Sequence, residues 1–273
     1  MKTQLKIVFQ KFKIGLDIFN KYSYLKAFTL AEVLLTLGII GIVAALTIPT
    51  LIANYQKTQY ATSLKKAYSQ MNQVLLQMSS DNNTVGSIKD YFGATVDVAP
   101  KIASYYKVIK TCGMVQGNEC FASFDDHYDG SAKTTSQYTG SVYTASHYKF
   151  ITSDGISFAI ASNNDNCTQN RGFDDAPDAP PTNSVCGVVY MDVNGLKKPN
   201  NYGRDVFIFY ITSNKAPMLY PRGGFYNSDT NSGSLEQGGS NYWDGVSKGC
   251  NKNNKWGSYC TARVIDDGWV MNY

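Results

Sequence analysis

Residues 28–48 form a run of 21 residues, Phe28 to Ile48, that is apolar throughout apart from three Thr and one acid, Glu32. As a helix rising about 1.5 Å per residue this run is about 32 Å long, enough to cross the hydrocarbon of a bilayer once. No other feature constrains the architecture as much, because a helix apolar on every side has to be covered by lipid or by other helices. Glu32 is the anomaly within it. A carboxylate in a membrane span costs several kcal/mol unless it is paired, so it marks a functional position. The bland alternative is a Glu that snorkels to the headgroups at the start of the span.

Charge is divided sharply along the chain. Residues 1–27 hold six of the 25 Lys and Arg and one of the 21 Asp and Glu, leaving 19 basic against 20 acidic residues in the rest. A nearly neutral body argues against a nucleic-acid surface, which needs a positive face for phosphates. Basic residues that precede a span belong on the cytoplasmic side. This leader is not an ordinary signal peptide, because its apolar run follows the small residue Ala27 instead of preceding it. A signal anchor that is never cut is the alternative.

Ala27-Phe28-Thr29-Leu30-Ala31-Glu32 resembles, position by position, the G/A-F-T-L-x-E processing and methylation site of the type IV pilin and type II secretion pseudopilin superfamily. The resemblance implies cleavage between Ala27 and Phe28 by a prepilin peptidase and methylation of the new Phe28 amine. Glu32 becomes the fifth mature residue, which that family uses in assembly, and Pro49 falls at mature position 22, where many members also have proline. Physics gives Glu32 a matching task. Among packed apolar helices a lone carboxylate has to be neutralised or paired, and the Phe28 amine of a staggered neighbour would serve, making Glu32 a register pin.

The helix is expected to continue beyond the span. Pro49 removes one backbone donor and should kink or loosen it near residues 46–53. Tyr60, Leu64, Ala67, Met71, Val74 with Leu75, and Met78 recur at spacings of three and four, an amphipathic stripe. Asp81-Asn82-Asn83 with Gly86 ends it. Four segments follow: a leader 1–27, a transmembrane and assembly helix 28–48, an amphipathic continuation 49–80, and a head 81–273. Within the head, residues 148–152 and 156–162 flank Asp154-Gly155 as a hairpin. Residues 188–193 and 206–212 read as strands, and 263–271 as a last strand turned at Asp267-Gly268. A short helix is expected around 98–109, and residues 174–181 and 223–245 read as surface loops. The fold class is α+β, pilin-like: one long helix packed on an antiparallel sheet, with disulfide-closed loops.

Six cysteines, Cys112, Cys120, Cys167, Cys186, Cys250 and Cys260, allow fifteen pairings, and short separations favour nearest neighbours. Such bridges require an oxidising compartment. A zinc site competes poorly, since there is no C-x-x-C and the two His, His127 and His147, are distant from most Cys.

A second resemblance lies towards the C-terminus. Cys186-Gly-Val-Val-Tyr-Met-Asp192-Val-Asn194-Gly195, then Lys198-Pro199-Asn200 and Gly203-Arg204-Asp205-Val-Phe207, with the closing Asp267-Gly268-Trp269, look like the D-x-N-G, P-N and G-x-D-x-F signature of pseudopilin-like proteins. Major secretion pseudopilins carry a calcium site in this region, which makes Asp192, Asn194 and Asp205 candidate Ca²⁺ ligands. The loop is no EF-hand: counted from Asp192, the fifth, sixth and twelfth positions are Leu196, Lys197 and Gly203. The competing reading is a turn in which Asp192 and Asn194 bond nearby backbone groups.

Catalysis finds little support. There is no G-x-S-x-G, H-E-x-x-H or P-loop, and Asp125-Asp126-His127-Tyr128-Asp129-Gly130 reads as ordinary surface chemistry. The expectation is a non-enzymatic subunit of a type II secretion pseudopilus, major or minor. It would sit in the inner membrane with its leader cytoplasmic and its head periplasmic. Its expected partners are other pilin or pseudopilin subunits, the prepilin peptidase, an assembly ATPase, inner-membrane platform proteins and membrane lipid, with no nucleic acid. A surface pilus subunit for adhesion or DNA uptake is the alternative, and a membrane-anchored ligand-binding head that never polymerises is another.

Overall fold

The structure is a computed structural model that describes residues 29–81, 88–93, 98–115, 117, 119–122, 146–162, 167, 169–171, 182–198, 200–213, 219–223, 225–227, 232–234, 236–237, 240–241, 250 and 257–273. The leader, the Ala27–Phe28 bond, the 125–130 cluster and the 174–181 loop lie outside the described residues. The chain divides into two compact units, Met1–Ala53 and Asn54–Tyr273.

In the first unit the described residues after Thr29 belong to helix α1 (Leu30–Asp81), which runs on through Pro49 without interruption. Large apolar side chains are exposed all round it, Leu30 at 78 % and Leu46 at 73 % among them. This is the one helix among the described residues long and apolar enough to cross a membrane.

The second unit takes the rest of α1, a 3-10 turn (Lys89–Phe92), α2 (Val98–Ser104) and strands β1 (Val108–Gly113), β2 (Tyr148–Thr152), β3 (Ser157–Ser162), β4 (Gln169–Arg171), β5 (Thr182–Asp192), β6 (Val206–Thr212) and β7 (Leu219–Pro221). Two small hairpins, β8 (Phe225–Asn227) with β9 (Ser232–Ser234) and β10 (Glu236–Gln237) with β11 (Ser240–Asn241), precede α3 (Cys260–Asp266). The main sheet runs β1-β2-β3-β5-β6-β7, antiparallel throughout, with β4 bonded to the start of β5. The fold is α+β.

Every residue of β6 is buried, so both faces of the sheet are covered, and the pleat sorts the side chains by period two. Phe207, Phe209 and Ile211 join Phe150, Phe158 and Met191 in one core with Leu64, Ala67, Met71, Leu75 and Met78 of α1. The stripe read from spacing is thus the face the sheet buries, at about 1.5–3 kcal/mol for each large side chain. Opposite, Ile208 packs with Ile151, Ala159, Tyr190, Phe121 and the Cys112–Cys120 bridge, and Tyr210 with Tyr259, Ala262 and the Cys250–Cys260 bridge. The third bridge is Cys167–Cys186, so the six cysteines pair as nearest neighbours. Each closed loop is worth an estimated 2–4 kcal/mol through the unfolded chain.

The β2–β3 hairpin forms where Asp154-Gly155 points to it. Gly155 N–H donates to Thr152 O at 2.9 Å and Thr152 N–H to Ile156 O at 3.0 Å. The loop is therefore three residues long, and Gly155 sits at φ 82°, the left-handed place such a loop reserves for glycine.

Three expectations need correcting. Residues 263–271 are not a strand. They begin inside α3, which buries Cys260, Thr261, Ala262 and Val264 at helical spacing. Thr261 Oγ1 accepts the Ile208 N–H at 3.0 Å, tying the helix to the sheet. Asp267-Gly268 closes α3 as a Schellman cap: Gly268 N–H donates to Ile265 O, Trp269 N–H to Val264 O, and Gly268 lies at φ 73°. The helix expected over 98–109 stops at Ser104, because Val108 and Lys110 pair with Thr152 and Ile151 of β2 as part of β1. The 223–245 loop contains the paired strands β8 to β11.

Candidate functional site

Glu32 and Thr29 meet at the start of α1. Thr29 N–H and Thr29 Oγ1–H both donate to Glu32 Oε2 at 2.9 Å, and Glu32 N–H donates to Thr29 Oγ1 at 3.2 Å. This is a reciprocal capping box, in which each side chain satisfies the other residue's orphan helix donor. Sequence reasoning singled out Glu32 and passed over Thr29, although S/T-x-x-E ahead of an apolar run is the signal that finds it.

In the head, Asp192, Asn194 and Asp205 come together where β5 hands over to β6. Asp192 Oδ1 accepts the N–H groups of Asn194 and Gly195 at 3.1 and 2.9 Å. Asn194 Nδ2 donates to Asp205 Oδ2 at 2.8 Å and to the Tyr60 hydroxyl of α1 at 3.3 Å. Asp205 Oδ1 accepts the Asn201 N–H at 2.7 Å. Gly203, at φ 78°, lets the loop press against Cys260, whose Sγ would lie 2.7 Å from any added Cβ. The cluster clasps the connection to itself and to the helix, in the manner of the turn reading.

Both aspartates are fully buried. Burial, reinforced by the Asp205 charge, pushes the Asp192 carboxyl well above its ordinary range. Burial likewise raises Asp205 to about 7, against the opposing bonds from Asn201 and Asn194. Three of the four carboxylate oxygens take N–H donors, while Asp192 Oδ2 is buried with no partner. The described residues contain no group of three or more His, Cys, Asp and Glu able to hold a metal ion. Any calcium shell would rest on Asp192 Oδ2 and on amide and carbonyl oxygens.

A raised carboxyl pKa contributes stability that is present below about pH 4 and lost as pH climbs through the folded value. Asp192→Asn keeps an acceptor for both N–H groups and cannot ionise. Its stability relative to the natural chain is therefore expected to grow as pH rises from about 4 to 8, read as urea midpoints. The comparison cancels His147, which burial first and then Lys149 lower to about 4 and which weakens the fold as pH falls below about 6.5. The same titration in calcium should leave the midpoint unmoved. A calcium-dependent rise that Asp192→Asn abolishes would assign Oδ2 to the cation instead.

Elsewhere in the head, a polar groove of about 350 Å³ lies against α1, the segment after α2 and the β2–β3 turn, lined by Lys66, Gln70, Gln77, Tyr106, Lys107 and Asp154 among others. Lys66 Nζ pairs with Asp154 Oδ2 at 2.8 Å across it. Burial raises the Asp154 carboxyl, but bonds from Lys66 and Thr152 outweigh this and hold it below its ordinary value. On the opposite face Lys149 is buried and donates from Nζ to Val115 O at 2.6 Å.

Residues 50–272, well over half of the chain, match the family described as "Family of unknown function (DUF6613)". The chain belongs to this family. The DUF6613 region takes in the C-terminal part of α1, the sheet, the clasp and α3, and begins one residue after Pro49. No curated protein and no solved structure matches the chain.

Proposed function

We propose that this member of the DUF6613 family is a pilin-like structural subunit, foremost of a type II secretion pseudopilus. In this reading the precursor sits in the inner membrane, is cut before Phe28, and is drawn into a helical filament whose core is the N-terminal half of α1. The observation that carries it is helix α1 itself. One half is apolar and exposed all round with a single carboxylate at its start, and the other buries one stripe under an antiparallel sheet. A helix of that kind has a surface that only lipid or other helices can cover. Repeating a staggered contact through it gives a heterologous interface that does not close into a ring. Head disulfides suit the oxidising side of the membrane, and the basic leader suits the cytoplasmic side.

Mass spectrometry of the mature N-terminus tests this directly. The expected species begins at Phe28 and carries one methyl group on its amine. An intact Met1, or a cut at any other bond, overturns the reading.

A further inference from the structure

The polar groove on the head lies wholly within the second unit, and its walls are braced. Lys66 pairs with Asp154 across it, Ser153 N–H donates to Lys107 O at 2.8 Å, and Thr152 Oγ1–H donates to Asp154 Oδ1 at 2.5 Å. We propose that this groove is a binding site for a neutral saccharide. Such a site is independent of assembly through α1.

Three features set the class of ligand. The first is a row of amides. Lys66, Gln70, Gln73 and Gln77 follow one another at spacings of four, three and four, so they share one face of α1 and line the groove together. None of the three amides has a partner among the described residues. Each offers an acceptor and two donors, and a hydroxyl both donates and accepts, so a sugar ring matches this face. Phosphate would meet the Asp154 carboxylate, and a metal cation would meet Lys66 and Lys107. The second feature is Tyr106. Its ring packs against Phe150 and Phe158, with centroids 5.8 and 5.2 Å away, while among the described residues its hydroxyl reaches only the Met71 thioether, at 3.6 Å. Sulfur is a weak acceptor, so this hydroxyl in the groove wall gains from a better one. Tyr105 beside it adds aromatic surface, which suits the C–H face of a sugar. The third feature is size. About 350 Å³ is at the lower end of small-molecule sites, which run from about 300 to 1,000 Å³. Val74 is the one aliphatic residue in the described lining, so a peptide finds no pocket for its apolar side chains.

The test uses the full-length chain in a detergent without a sugar headgroup. It is titrated with maltotriose, cellotriose and chitotriose, and separately with inorganic phosphate and trialanine. Calorimetry is expected to give a Kd of about 1 mM or tighter for at least one trisaccharide, and no binding of phosphate or trialanine. Gln70→Ala and Gln77→Ala should each weaken the sugar about two- to tenfold, the range set by one hydrogen bond. Tyr106→Phe keeps the ring and should weaken it by a similar factor, with the urea midpoint of the head unmoved. Lys65→Ala, on another face of α1, is the control and should bind like the natural chain. No trisaccharide bound at about 10 mM overturns the proposal. Binding that the Gln and Tyr106 variants leave unchanged overturns the site, and phosphate or trialanine bound in place of sugar overturns the ligand class. None of these outcomes bears on the cut before Phe28, so the saccharide site and the pilin reading fail in separate experiments.

Discussion

Glu32→Gln is expected to leave cleavage before Phe28 and folding of the head intact, and to remove the chain from filaments. The substitution is nearly isosteric and preserves the capping box, since the amide oxygen can take the place of Oε2. What changes is the outward group, from an anion that accepts to an amide that donates. In the proposed filament, where it would face a neighbour's amine, it would leave that amine charged and unpaired among apolar helices. Removing one partner of an ion pair leaves the other charge uncompensated, which weakens the contact more than the pair itself strengthens it. A filament multiplies that loss over every subunit. Sheared-filament yield and cross-linking between subunits measure it, and Glu32→Gln at natural levels in both would remove the register pin.

Phe209→Ala is expected to cost the head about 3–5 kcal/mol. Phe209 is fully buried at the centre of β6, paired with Val189 on one side and Pro221 on the other. Its ring lies 5.5 Å from that of Tyr68 on α1, which in turn lies 5.2 Å from Trp269 just beyond α3. Removing it opens a cavity where helix, sheet and C-terminal segment meet. Val270→Ala, at a side chain 47 % exposed, is the control and should stay within about 0.5 kcal/mol. Urea unfolding followed by near-ultraviolet circular dichroism reads both. A loss at Phe209 no larger than at Val270 would mean that the stripe of α1 does not hold the sheet.

Much of the frame was legible because its signals are local. The α1 stripe from Tyr60 to Met78 follows from helical spacing, the β2–β3 turn from Asp154-Gly155, and β6 from an uninterrupted β-rich run. Pairing of neighbouring cysteines followed from the shortness of the loops they close. What escaped was short or peripheral. Strand β1 is an edge strand with Ile109, Lys110 and Thr111 exposed, so burial left no alternating pattern to read. Helix α3 has seven residues, too few for its period to stand out against the V-I-D-D-G-W-V-M alternation that mimics a strand. Only the contact of Thr261 with β6 and the cap at Gly268 settle the matter.

The two sites divide in the same way. Phe28 to Ile48 with its one acid determined by itself that this chain carries an apolar run long enough to cross a membrane, because apolar length and a lone charge are properties of composition. The Thr29 box was present as a three-residue spacing, which any helix start would close. The clasp was not present in that sense. Asp192 and Asp205 are thirteen positions apart, and whether they are exposed loop acids or a desolvated pair depends on where β5, β6 and Tyr60 of α1 bring them. Burial and mutual charge are properties of three dimensions, so only the tertiary structure could decide that these two carboxyls are raised and that one oxygen of Asp192 is left over.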